Sequence, residues 1–359
     1  VTAAAAADAS ASVVVAIPAR DEAERIGGCL QALAGQTRPP DGVVLLANNC
    51  RDATAAVAEA LAPVLPFALH VIRHDFPPEA ATAGQARHRV MAQAADHAGP
   101  NGWLLTTDAD GIPAPDWVEC TLHAFAAGAD AVCGCIVADP AEAALIPDHL
   151  RADDVLETTL LALLDELAAR VDPDPADPWP RHTQAAGASL AATVTAFRRV
   201  GGIPPLPAGE DRAFVAALAR IDAAIRHDPA VVVTVSARQQ GRTLGGMADT
   251  IRRRMVRQDE WTDDSVEPAV DAFRRLDFRR RVRHAWTAGA AVDPALAIDL
   301  GIEPGVFRTA LRQPAFGAAW QDLQACSPFL HRRRVRFTEL PRQIDYARQL
   351  LASLSPVHP

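Results

Sequence analysis

The feature that most constrains the fold is an alternation in the first third of the chain. Short runs of β-branched and aliphatic residues at 12–17, 42–46, 67–72, 103–107 and 131–137 are separated by stretches of helical periodicity at 22–33, 52–61, 83–97 and 115–127. Runs of this length are strands, and strands spaced by helices predict an α/β fold: a mostly parallel, Rossmann-like sheet flanked by helices on both faces. In such sheets ligands bind beyond the carboxyl ends of the strands. Three runs end there on polar residues: Pro18–Asp21 after the first, Asn48 and Asn49 after the second, Asp108-Ala109-Asp110 after the fourth. Asp21 with Glu24 has the spacing of a capping box opening the first helix.

Beyond residue 137 the spacing predicts a long helix over 141–170. A proline- and aspartate-rich stretch at 171–180 reads as an extended, mobile loop, and Arg181 and His182 follow it on a solvated segment. A further strand is expected at 230–236. From about residue 245 the strand signal fades, which predicts a mainly helical C-terminal extension. Its arginine clusters at 252–254, 279–281 and 332–334 are interleaved with acids, the pattern of solvated helix faces. Residues 1–11 are alanine-rich without a basic segment and read as a disordered tail.

Composition narrows the function. The net charge is −9 over 359 residues, which speaks against general nucleic-acid binding. All the basic residues other than histidine are arginines. No run is long and apolar enough to span a bilayer. The six cysteines lack zinc spacing, and a reducing, cytoplasmic setting is expected.

Two acidic pairs carry the chemistry. In an extended segment Asp108 and Asp110 point to the same side, where two carboxylates repel unless a cation sits near them. Hard oxygen ligands of this kind select Mg²⁺ or Mn²⁺, which keep further positions open for phosphate oxygens; a turn or helix cap is the alternative. Glu210–Asp211 opens a helix. Capping explains it, and so does a general base taking a proton from a sugar hydroxyl as the bond forms; the two residues are interchangeable at this level. Arg238 and Arg242, after the last strand, suit a forked grip on a diphosphate or surface ion pairs equally well.

Four segments in order, VVVAIPARDEAERIGGCLQAL, VVLLANNCRDATAAVAEAL, AGQARHRVMAQAADHAGPNGWLLTTDADGIPAPDW and GASLAATVTAFRRVGGIPPLPAGEDRAF, resemble glycosyltransferase family 2 of the GT-A fold. The resemblance implies a GT-A glycosyltransferase domain over 12–244, with a nucleotide-sugar-binding half at 12–137 and an acceptor half at 138–244, followed by the helical region 245–359. It implies a nucleoside-diphosphate sugar as donor, a divalent metal and a hydroxyl acceptor. Pro18, Ala19 and Glu22 line the nucleotide pocket, Arg87 approaches the donor, Asp108 meets ribose or metal, Asp110 the metal and diphosphate, and Asp211 is the base of an inverting displacement beside Glu210. One departure stands out: Ala47 occupies the place of the family's base-reading aspartate. The neighbouring Asn48, whose amide both donates and accepts, takes over that contact, or serves the turn. Rival readings are a retaining transferase of the glycerate type, a sugar nucleotidyltransferase, and a non-catalytic sugar-nucleotide-binding protein. Homodimerisation through the C-terminal helices is a further expectation.

Overall fold

The structure is a computed structural model that describes residues 11–238, 254, 260–289 and 294–354; Arg242, Arg252, Arg253 and residues 1–10 lie outside these. Strand β1 (Val13–Ala19) is aliphatic and buried along nearly its whole length, as a central strand covered on both faces must be. It pairs in parallel with β2 (Gly42–Asn48) and with β4 (Trp103–Thr106), and β2 pairs in parallel with β3 (Ala68–His74). β3 is the sheet edge, and His70 and Arg73 are exposed on its two faces.

Past β4 the sheet becomes mixed. β7 (Leu190–Thr193) lies antiparallel between β4 and β6 (Ala131–Ala138). β8 (Ile225–Val235) then runs parallel to β6, and the two-residue β5 (Ile112–Pro113) closes the order β3-β2-β1-β4-β7-β6-β8-β5. The carboxyl ends of β1, β2 and β4 share one edge, so the three polar strand ends picked out in the sequence come together.

Two apolar cores sandwich the sheet. One holds Ile17, Leu45 and Leu105 against α1 (Ile26–Ala34), α2 (Thr54–Leu61) and α4 (Trp117–Ala126). The other holds Ala16, Leu46 and Leu104 against α3 (Ala83–Ala98), α7 (Val194–Arg199) and α8 (Glu210–Arg220). The odd and even residues of each strand thus serve opposite faces, as the pleat requires.

The expected helix over 141–170 is broken. A single turn, α5 (Pro140–Ala143), precedes α6 (Asp148–Val171), because Pro147 disfavours helical geometry at Ile146. α6 packs with α9 (Ala269–Ala288) and α13 (Leu340–Ser353) in a third core. α9 continues into a fourth with α10 (Pro294–Asp299), α11 (Pro304–Ala310) and α12 (Phe316–Cys326). α12 docks on the end of α8: both Asp222 oxygens accept the N–H groups of Phe316 (2.6 Å) and Gly317 (2.7 Å). A Cβ on Gly317 would lie 1.7 Å from the Ala219 carbonyl oxygen, so only glycine lets the backbones meet. Among the described residues no helix is long and apolar enough to cross a membrane.

The strand-one turn also differs from expectation. Asp21 caps no helix. It sits at φ 53°, with its carboxylate accepting the Arg51 N–H at 2.7 Å, and α1 starts later, behind Arg25. The stretch 171–180 is pinned. Asp177 is 4% exposed and bonds the His227 backbone N–H (2.8 Å), His227 Nδ1 (2.9 Å) and Arg181 (2.9 Å). Arg226 holds the Pro178 and Pro180 carbonyls from the other side. Arg181 and His182 are accordingly half-buried, not solvated: burying Asp177 requires cations around it, and they are drawn in with it.

Candidate active site

The chain leaves β4 through Thr107 into a turn closed by Gly111 N–H on the Asp108 carbonyl (3.0 Å). The two aspartates therefore do not stand on one side of an extended strand. Within the turn each meets a different arginine. Asp108 Oδ1 accepts Arg87 Nη2 at 2.6 Å, and Asp110 lies 3.3 Å from Arg238 Nη2. Arg238, just beyond β8, also grips both oxygens of Glu22. Glu22 is 6% exposed, and its own N–H donates to Thr54 Oγ1 at 2.8 Å.

These acids remain electrostatically close. Asp110 is mostly buried, and its carboxyl is pushed up to about 6 by that burial and by the charges of Asp108 and Glu22, against the pull of Arg238 and Arg25. A carboxylate destabilised by its acidic neighbours fits a position that takes a divalent cation. Asp108, with its side chain 39% exposed, keeps Oδ2 clear of Arg87. Asp108 and Asp110 are hard oxygen donors, and among the described residues they form no group of three or more acidic, histidine or cysteine ligands. The tighter trio Asp21, Cys50 and Asp52, with ligand atoms within 4.8 Å of one another, is bound up in local turns: Asp52 accepts the N–H groups of Ala23 and Thr54.

Arg87, on α3, is 5% exposed. Besides Asp108 it donates to Thr106 Oγ1 (2.9 Å), the Gly187 carbonyl (2.8 Å) and Glu210 Oε1 (3.1 Å). Burial opposes its charge, and the two flanking carboxylates more than restore it. Glu210 is thereby sequestered at the start of α8, 6% exposed. Asp211 is more open. Its oxygens accept the Gly187 N–H (3.0 Å) and the Arg212 N–H (2.7 Å), which leaves lone pairs for a further partner.

Pro18 and Ala19 end β1, beside Leu46 and Ala47 of β2. Asn49 is turn chemistry: at φ 51° its amide ties the Phe76 backbone in both directions. Asn48 is 4% exposed, and its amide makes no hydrogen bond to the described residues. A small cavity of about 220 Å³ opens beside Asp110, between Arg25, Ile112 and Ser236.

Sequence reasoning missed Arg25, Glu142 and Gly187. Glu142 accepts Arg25 (2.7 Å) and Ser236 Oγ (2.7 Å), joining the approach to α1 with the end of β8. Their only sequence signal is residue type; the partners lie 94 to 117 residues apart.

Residues 14–176 match the family model described as glycosyl transferase family 2. A search of curated proteins gives no match. Among solved structures the chain is similar to the mannosyltransferase PcManGT from Pyrobaculum calidifontis in complex with GDP-Man and Mn²⁺ (18% identity, 95% of this chain and 74% of that one, TM-score 0.44). It is also similar to residues 1–349 of TarS from S. aureus in complex with UDP (14%, 95% and 90%, 0.46). A third is glucosyl-3-phosphoglycerate synthase from Mycobacterium tuberculosis with Mn²⁺, UDP-Glc and phosphoglyceric acid (17%, 69% and 79%, 0.42).

Proposed function

Residues 14–176 place this chain in glycosyl transferase family 2, and from that premise we propose that it moves a sugar from a nucleoside-diphosphate sugar to an acceptor hydroxyl, with inversion and with help from a divalent metal. The observation that carries this reading is the gathering of Glu22, Asp108, Asp110, Glu210 and Asp211 around two arginines at one sheet edge. Acids outnumber bases there, and two of the carboxylates follow β4 directly.

Asp110 and Asp108 would hold the metal, which would supply positive charge next to the diphosphate. Pro18, Ala19 and Asn48 line the nucleotide side. Asn48 offers the base an amide that makes no hydrogen bond to the described residues, where Ala47 has no polar group. Arg238 faces the diphosphate from its place beside Glu22 and Asp110, and Arg242, which lies outside the described residues, follows it in sequence as a second hydrogen-bond donor. Asp211 takes the acceptor proton. Glu210 is buried and engaged by Arg87, which supports Asp211 rather than Glu210 as the base.

A thermal-shift screen of UDP and GDP sugars, with Mn²⁺ and with chelator, tests the donor and the metal together. Stabilisation by one nucleotide class that requires Mn²⁺ supports the reading, and no response to any of them sinks it. Product configuration read by NMR tests inversion; retention of the anomeric configuration would remove Asp211 as base.

A further inference from the structure

We infer that Arg87 is a positioning residue that holds the metal-side carboxylate and the acceptor-side pair in one frame, and that it is not a donor ligand. The inference rests on the functional reading above and assigns that site a part the sequence did not suggest. One guanidinium has five N–H donors in a fixed plane. Here it meets four acceptors from separate parts of the chain: Thr106 at the end of β4, Asp108 in the turn, Gly187 in the segment before β7, and Glu210 opening α8. At 5% exposure little of it is left for a phosphate or a base.

Its reach extends to Asp211 through one residue. Gly187 accepts Arg87 on its carbonyl and donates its N–H to Asp211 Oδ2. A Cβ at Gly187 would lie 2.5–2.7 Å from the guanidinium atoms of Arg87. One turn earlier on α3, a Cβ at Gly84 would lie 1.9 Å from the Leu206 carbonyl oxygen and 3.2 Å from Glu210 Cβ. The helix that carries Arg87 and the loop that delivers Glu210 thus pack with no slack. The separation between the metal-side carboxylate and the base is set by this contact, and displacements near 1 Å in such a frame cost about 100-fold in rate. Lysine at 87 keeps the charge but cannot fork between Asp108 and Glu210.

The test uses the full chain, Arg87→Lys and Gly187→Ala. The alanine displaces the guanidinium while leaving its charge in place, and it keeps the idea falsifiable if the lysine variant fails to fold. Binding of Mn²⁺ with UDP or GDP is read by calorimetry, and release of diphosphate from UDP-glucose or GDP-mannose gives turnover. The expected result is a diphosphate Kd within about threefold of wild type and turnover lower by about 100-fold or more in each folded variant. A Kd weakened tenfold or more in Arg87→Lys with Gly187→Ala unaffected would make Arg87 a donor ligand and overturn the inference. So would turnover within threefold of wild type in both variants. Wild type that binds neither diphosphate would bring down the functional reading itself, which separates the two failures.

Discussion

Asp177→Asn is the substitution whose effect can be worked furthest from the structure. The carboxylate is buried and shared by His227, Arg181 and Arg226. Burial opposes the imidazolium of His227, but its bonds to Asp177 and Cys133 prevail and raise it from 6.5 to about 10. A histidine raised on folding contributes stability fully below the unfolded value, and loses it as pH climbs towards the folded one. Between pH 6.5 and 8.5 wild type therefore sheds up to about 1.4 kcal/mol per pH unit from this group, roughly 2–3 kcal/mol in all. Near 2 cal/mol/K of unfolding entropy per residue, that is a fall of about 3–4 °C in Tm. Removing the carboxylate leaves two arginines and a histidine without their shared partner, a loss of about 3–5 kcal/mol at pH 6.5, or about 4–7 °C. It also flattens the slope above pH 6.5. Thermal unfolding of both proteins at pH 6.5, 7.5 and 8.5 reads both effects; the thiols raised by burial add the same small slope near pH 8.5 to both proteins and cancel in the comparison. A variant within 1 °C of wild type at pH 6.5, or one that keeps the wild-type slope, refutes the argument. Because 172–183 leads into Gly187, turnover should fall with stability.

Three further outcomes are expected. Asp110→Asn should cut metal-dependent turnover by about 100-fold or more while raising thermal stability slightly, since the amide relieves a carboxylate crowded by Asp108 and Glu22; turnover within threefold of wild type would remove Asp110 from the metal site. Asp211→Asn should lower turnover by about 10²–10⁴-fold with Mn²⁺–diphosphate affinity unchanged, measured by calorimetry beside a rate assay, and an equal loss in affinity would point to donor binding instead. Gly317→Ala should cost about 1–3 kcal/mol by forcing α12 off the Ala219 carbonyl; a denaturant midpoint equal to wild type would show that the docking has slack.

What could be read from the chain and what could not divide along a physical line. Periodicity is local, so β1, β2 and β4 and the polar residues at their ends were visible, and with them the edge on which Asp108 and Asp110 sit. Pro147 and Asp21 were misread for a local reason as well: each satisfied a helix pattern, but the proline fixes the backbone before it, and Asp21 found a better partner in the Arg51 N–H across the strand ends. The buried charges were invisible. Arg87 meets Glu210 across 123 positions and Gly187 across 100, and Asp177 meets His227 across 50. Nothing in spacing announces such pairs, because a buried ion takes whichever opposite charge the packing brings, and the packing is decided by the apolar faces.

That order of causes also explains the shape of the site. The sheet places acids at one edge because chain turns collect there, at no cost while they remain solvated. Packing α3 and α8 over the edge buries Glu210 and partly covers Asp108, and an unpaired buried carboxylate there would cost several kcal/mol. Arg87 answers that cost with one fork, and Arg238 answers it for Glu22 on the other face. Asp110 has only the longer contact, at 3.3 Å, to an arginine already committed to Glu22. Among the described carboxylates at the end of β4, Asp110 is therefore the least answered, raised by burial and by Asp108 and Glu22 against the partial pull of Arg238 and Arg25, and it is there that an added cation would gain most.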